Sequence, residues 1–135
     1  MTWVYIKCGS LVAETRFIWR NRLAIVTVAL AGTPEAATAD FVCDGSDDHI
    51  EIQLAIAHLH SLGGGTAQIA SGIYSTARPI IVEHDNIALV GAADRSTFIR
   101  PASNWVSIST AGGAEATGVI SFVGVDNFAA RNLVV

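Results

Sequence analysis

The chain has 135 residues, enough for one domain or part of one. Hydrophobic residues make up 51% and charged residues 15%, against a usual charged share of about 25%, which excludes a largely disordered chain. A net charge of -4 with eight Lys and Arg excludes a nucleic-acid binder that works by neutralising phosphates, and no apolar run is long enough for a membrane-spanning helix.

Residues 1–22 mix strand-like and irregular text. Trp3, Tyr5 and Lys7 alternate with Val4, Ile6 and Cys8, and Phe17, Ile18 and Trp19 form a second apolar knot. Residues 1–24 therefore stand as an extension that lies against a neighbour or against the helix described below. Arg16, Arg20 and Arg22 read as a solvated face.

Leu23 to Ala31, LAIVTVALA, has two readings. A positive flank, an apolar core and Ala37-Thr38-Ala39 outline a secretory signal. The β-branched Ile25, Val26, Thr27 and Val28 instead suit a buried strand over 25–29. The long flank before this run contains Glu14 and two tryptophans, which favours the strand.

Ala39 to Ser75 organises the chain: a strand, an acidic turn, one helix, a glycine stop and a second strand. Asp44-Gly45 marks the turn. Asp48 followed three residues later by Glu51 predicts a reciprocal capping box at the start of a helix over about 48–62. Ile52, Ala55, Ile56 and Leu59 fall on one stripe, which should face the core. Gly63 is expected to end the helix in the left-handed conformation. His58 and His60 lie on different faces and cannot share a metal, and His49 is distant along the axis. Cys8 and Cys43 form no CxxC and no disulfide framework, so both are expected to be free, buried thiols. No metal and no cofactor is assigned, and the chain lacks a strand–GxGxxG–helix unit.

From Thr66 onward the chain reads as short strands: 67–70, 79–82, 87–90, 97–100, 106–109, 119–123 and 128–135, the last broken at Asn132. One internal echo stands out. Asp85-Asn86-Ile87-Ala88 recurs as Asp126-Asn127-Phe128-Ala129. That spacing holds two solenoid turns of about 20 residues and predicts two stacked turns.

These residues also carry a resemblance. Ala39 to Asp48 (ADFVCDGSDD), Glu51-Ile52-Gln53 with Ala55-Ile56, Gly63 to Thr66, Gly72-Ile73-Tyr74, and Val125 to Leu133 together resemble the opening of pectate-lyase-like proteins. A departure is Ala67 to Ser71, where the family carries a proline and an aromatic. The resemblance spans roughly 25–135. It implies an all-β solenoid, a right-handed parallel β-helix whose first coils over 25–135 are plugged by one capping α-helix. Val135 falls inside apolar text, so the chain reads as truncated or covered by another chain.

The family spans polysaccharide lyases, galacturonases, epimerases and phage tailspikes, so the resemblance implies a carbohydrate-associated protein without choosing among them. The enzyme reading needs an acid/base pair on one face. The candidates are Glu83, His84, Asp85, Asp94, Arg95, Arg100, Glu115, Asp126 and Arg131, and no constellation can be assembled from them. The favoured reading is the N-terminal part of a structural or glycan-binding β-helix at the cell or virion surface. Trp105 would be a sugar platform or a core residue, with Asn104, Arg100 and Asp94 as further sugar contacts. The alternative is a lyase, glycoside hydrolase or epimerase whose active site lies beyond residue 135. Expected partners are a polysaccharide or surface glycan and either further copies of the chain, as in a trimer, or the rest of a longer chain. Nucleic acid and a membrane span are not expected.

Overall fold

The computed structural model describes residues 24–109, 115–116 and 118–135. The expectations for residues 1–22 and for Cys8 lie outside the described residues. The elements are β1 (Ala24–Leu30), a 3-10 turn (Pro34–Ala37), β2 (Phe41–Cys43), α1 (His49–Ser61), β3 (Gly65–Ile69), β4 (Gly72–Thr76), β5 (Ile80–Val82), β6 (Ile87–Val90), β7 (Thr97–Pro101), β8 (Ile108–Ser109), β9 (Glu115–Ala116), β10 (Ile120–Phe122), β11 (Ala129–Arg131) and β12 (Leu133–Val134). The strand reading of LAIVTVALA is borne out, because β1 lies within the largest sheet. The strand at 72–76 is not among those expected from Thr66 onward, where Ser71-Gly72 marks a turn and strand text resumes at 79.

Three sheets are wholly parallel. The largest has the order β11-β6-β3-β1-β2, the second β12-β7-β4, and the third β10-β5. From β3 onward the chain visits the three sheets in turn and then returns to the first. β8 and β9 form a separate antiparallel pair within the connection from β7 to β10.

Register follows the alternation of side chains across a strand. In the largest sheet Val26, Ala67 and Leu89 are paired neighbours and all are buried, whereas Ile25, Thr66 and Ala88 share the opposite face. Tyr74 beside Ile99 and Val82 beside Phe122 add to the same core from the other two sheets. Many of the inward residues are β-branched or aromatic, types that fill a pleated surface well.

The α-helix, the only one among the described residues, covers β1, β2, β3 and β5 with Ile52, Ala55, Ile56 and Leu59, all buried, as the stripe predicts. Its opposite face carries half-exposed Ile50 and Leu54. Gly63 (φ 90°) ends it: Gly63 N–H donates to His60 O at 3.0 Å and Gly64 N–H to Leu59 O at 2.8 Å. These two bonds form a Schellman cap. The next strand then starts hard against β1. A Cβ on Gly65 would stand 2.1 Å from Ala24 O, so only glycine fits there.

The echoed Asp-Asn turns do stack, but the 41 residues between them make one pass through the three sheets and not the expected two turns of about 20, because β11 pairs directly with β6 and the β8–β9 pair lengthens the connection. Asp126 N–H donates to Asp85 Oδ1 at 2.7 Å, and Asn127 Nδ2 donates to Asn86 Oδ1 at 2.6 Å. Asn86 and Asn127 both have positive φ, 67° and 55°, a region that Asn tolerates better than most residues. Asn132, the expected break, has φ 58° between β11 and β12.

Two glycines separate strain from crowding. A methyl group added at Gly45 (φ 92°) would have nothing within 4 Å, whereas one at Gly65 meets backbone. Gly45→Ala is expected to cost about 1–2 kcal/mol from the left-handed backbone alone. Gly65→Ala should cost clearly more, by at least about 2 kcal/mol, because backbone must move. Urea denaturation of the two variants checks the order, and equal losses would contradict it.

Candidate functional site

A recess runs beside α1. Asp48, just before the helix, and His49 and Gln53 on it reach Ser75 in β4, Ala77 just after β4 and Ile81 in β5. Asp48 is fully buried. Its Oδ1 accepts from Gly45 N–H and its Oδ2 from Ser75 N–H, each at 2.9 Å, while its own N–H donates to Ser75 O at 2.8 Å. His49 Nδ1 accepts from Ala77 N–H at 3.3 Å. Gln53 Nε2 donates to Ile81 O at 2.6 Å and Gln53 Oε1 accepts from Ile81 N–H at 3.0 Å. The amide of Gln53 thus occupies the backbone groups that a neighbouring strand would otherwise take.

This arrangement corrects the capping-box expectation. Asp48 is the residue before the helix, yet it has helical φ and ψ and makes no side-chain cap bond. Two backbone N–H groups outside the helix, at Gly45 and Ser75, claim its carboxylate instead. Glu51 does not close a reciprocal cap on the Asp48 N–H, which is given to Ser75, and Glu51 Oε1 is buried without a partner.

Cys43, Asp48 and Glu51 bring one ligand-type atom each within 4.8 Å of one another. Burial, followed by the Asp48, Glu51 and Asp44 charges, pushes the Cys43 thiol up to about 12. It is therefore a buried, protonated thiol, unreactive as a nucleophile, in keeping with the free thiol expected from the sequence. With both Asp48 oxygens already engaged, this cluster reads as the seat of the helix. Tyr74 is held above its ordinary range, chiefly by burial, and its hydroxyl donates to Ala70 O at 2.8 Å.

Between the helix and β5 lies a groove of about 460 Å³, bordered by His49, Gln53, Arg78, Glu83 and His84 over a floor that includes Ile56 and Ile81. A second, polar recess of about 370 Å³ continues past the helix end and shares Glu83 and His84 with the first. Together they run along α1, which is about 20 Å long at 1.5 Å per residue for its 13 residues. The Ala77 N–H bond leaves the Nε2 position of His49 as a donor in the neutral ring. Arg78 Nη1 donates to Ala77 O at 3.0 Å, which leaves other guanidinium N–H groups for a ligand. Apolar floor and polar rim are the general form of a small-ligand site.

The four proposed sugar contacts are not gathered in this groove. Asn104 and Trp105 share one turn, where Trp105 N–H donates to Ala102 O at 3.0 Å. Trp105 is half-buried and its Nε1 is enclosed without a partner. Arg100 is exposed near the exit of β7, its guanidinium 5.4 Å from the centre of the Phe98 ring. Asp94 sits in the turn entering β7, at the other end of the strand. Its carboxylate accepts from Ser96 Oγ and from Ser96 N–H, and these bonds hold it below the usual carboxylate range. His58 and His60 diverge as expected: His58 meets Phe41 edge-on and His60 stacks on His84. Glu83, His84 and Asp85 belong to the scattered acid/base candidates, but nothing in their own sequence neighbourhood ties them to His49 or Arg78.

No family model, no curated protein and no solved structure matches this chain. Among the described residues no helix is long and apolar enough to cross a membrane.

Asp48→Ala should cost about 3 kcal/mol or more, because it removes two bonds to a charged acceptor and strands two backbone N–H groups. Glu51→Gln should cost less than about 1 kcal/mol, since its partnerless oxygen contributes no bond. Chemical denaturation of both variants checks this, and similar losses for the two would contradict the assignment of Asp48 as the tie.

Proposed function

We propose that this chain is the helix-capped first part of a right-handed parallel β-helix of the pectate-lyase-like kind, with a structural or glycan-binding role. The observation that carries the fold half of this reading is the ladder at a separation of 41 residues, Asp126 on Asp85 and Asn127 on Asn86. It stacks two turns of the chain in the order in which the three parallel sheets are revisited. In such a solenoid the helix keeps water from the apolar end and covers strand edges.

The binding half rests on the groove beside α1. A trough about as long as the helix, with an apolar floor in its first part, donors from His49, Arg78 and His84 and an acceptor in Glu83, suits a chain of sugars. Sugar rings have apolar faces and hydroxyl edges, and both kinds of surface meet a complement here. The setting favoured by this reading is extracellular or on a virion, with several copies of the chain working together. Catalysis by the alternative lyase, hydrolase or epimerase route calls for paired acid and base groups on one reacting centre, and Glu83 and His84 are an acid and a base that both line the groove.

Calorimetric titration with neutral and acidic oligosaccharides, together with product analysis after long incubation, tests the reading. Saturable binding without depolymerisation is expected, weakened at least about tenfold, or 1.4 kcal/mol, by Arg78→Ala. Depolymerisation abolished by Glu83→Gln would replace the binding role with the enzyme. Absence of binding to any polysaccharide class would overturn the glycan reading while leaving the fold untouched.

A further inference from the structure

A hollow of about 220 Å³ lies on the outer face of the largest sheet, and none of its lining residues belongs to α1 or to the groove beside it. Side chains alternate across β1, so Val28 points inward and Ala29 outward. Ala29 is nonetheless only 1% exposed, because the segment that follows β1 and carries Glu35, Thr38 and Ala39 lies over it. Ala29, Ala39 and Ala70 line a mostly apolar hollow, and their small side chains leave it unfilled. Glu35, Thr38 and Gln68 are exposed residues at its rim. Among the described residues no hydrogen bond engages the Glu35 carboxylate, the Thr38 hydroxyl or the Gln68 amide.

The covering segment is tied down at both ends. Asp40 Oδ2 accepts from Thr27 N–H at 2.9 Å and from Thr27 Oγ1 at 3.1 Å, and Asp40 N–H donates to Thr27 O at 3.0 Å. At the other end Ala31 N–H donates to Cys43 O at 2.7 Å and Thr33 Oγ1 to Leu30 O at 2.6 Å. Pro34 fixes a backbone angle in the 3-10 turn between them. Walls held in this way have little freedom left to lose when a ligand enters.

We infer that this hollow binds the acetamido group of an N-acetylated sugar. The choice of a sugar rests on the carbohydrate reading above, and the choice of substituent rests on the lining. An apolar cavity of about 150 Å³ takes a benzene ring, so a hollow of about 220 Å³ admits one substituent of that order and not an oligosaccharide. An acetamido group brings a methyl to the three alanines, an N–H to the Glu35 carboxylate and a carbonyl to the Thr38 hydroxyl or the Gln68 amide. A hydroxyl in its place leaves the alanine surface without an apolar partner. An ammonium group gains Glu35 but sets a charge against that same apolar surface.

The test is titration of the full, isotope-labelled chain with N-acetylglucosamine, glucosamine and glucose, read from residue-resolved amide chemical shifts. Saturable shifts are expected at Ala29, Ala39 and Ala70 with N-acetylglucosamine, and affinity at least about tenfold lower for the other two sugars. Ala39→Leu, which fills the hollow, should weaken binding at least about tenfold. The double variant Thr38→Val with Gln68→Ala, made at exposed positions that leave the fold intact, should do the same. Absence of saturable shifts at the three alanines would overturn the inference, as would equal responses to the three sugars or unchanged affinity in both variants. Shifts confined to Gln53 and Ile81 would also overturn it, while keeping the groove as the sugar site. Shifts at the three alanines with no oligosaccharide bound beside α1 would support the hollow and count against the groove alone.

Discussion

The helix is tied to β4, β5 and the short segment between them by side chains that bond to backbone. Asp48 holds Ser75, His49 holds Ala77 and Gln53 holds Ile81, at sequence separations of 27, 28 and 28 residues. Hydrophobic burial of Ile52, Ala55, Ile56 and Leu59 would press α1 onto the sheets without fixing how far it slides or turns. The three polar ties supply that direction. Because they are buried or half-buried, breaking one leaves unsatisfied backbone groups, and that asymmetry makes them strong determinants of position. The groove beside the helix and the meeting of His60 with His84 both follow from this fixed placement.

A second constraint runs along the sheets. Parallel strands give their bonds to neighbours one circuit earlier or later, so each turn must recur at the same place. Asn86 and Asn127 meet that demand with left-handed backbones and an amide–amide bond. Gly65 meets it by lacking a Cβ where β1 passes. Side chains inside the sheets obey the same rule, with Val26, Ala67 and Leu89 lined up as neighbours. Helix placement and strand register therefore reinforce each other: the ties act on a segment whose own position is set by pairing.

Local features are legible in the sequence wherever the cause is local. The helical stripe, the glycine stop and the turn chemistry of Asp85-Asn86 and Asp126-Asn127 depend on residues a few positions apart. The strand Gly72–Thr76 is not legible as a separate element, because GIYST begins with a turn residue and gains its regularity only by pairing with β7. The role of Asp48 is hidden for a related reason. An aspartate before an apolar stripe ordinarily caps the helix, but here the N–H groups of Gly45 and Ser75 compete for it successfully. The site is the least legible part. His49, Arg78 and His84 share a groove through contacts between distant positions, and no spacing rule within one element predicts them.

Residue-resolved amide hydrogen exchange tests the placement of the helix most directly. The N–H groups of Ser75, Ala77 and Ile81 have helix side chains as their acceptors. All three should exchange slowly, within about tenfold of the paired amides of β3 and β6, because they open only when the helix leaves the sheets. Exchange at rates typical of exposed loops at Ser75 and Ile81, with β3 and β6 still protected, would contradict the account.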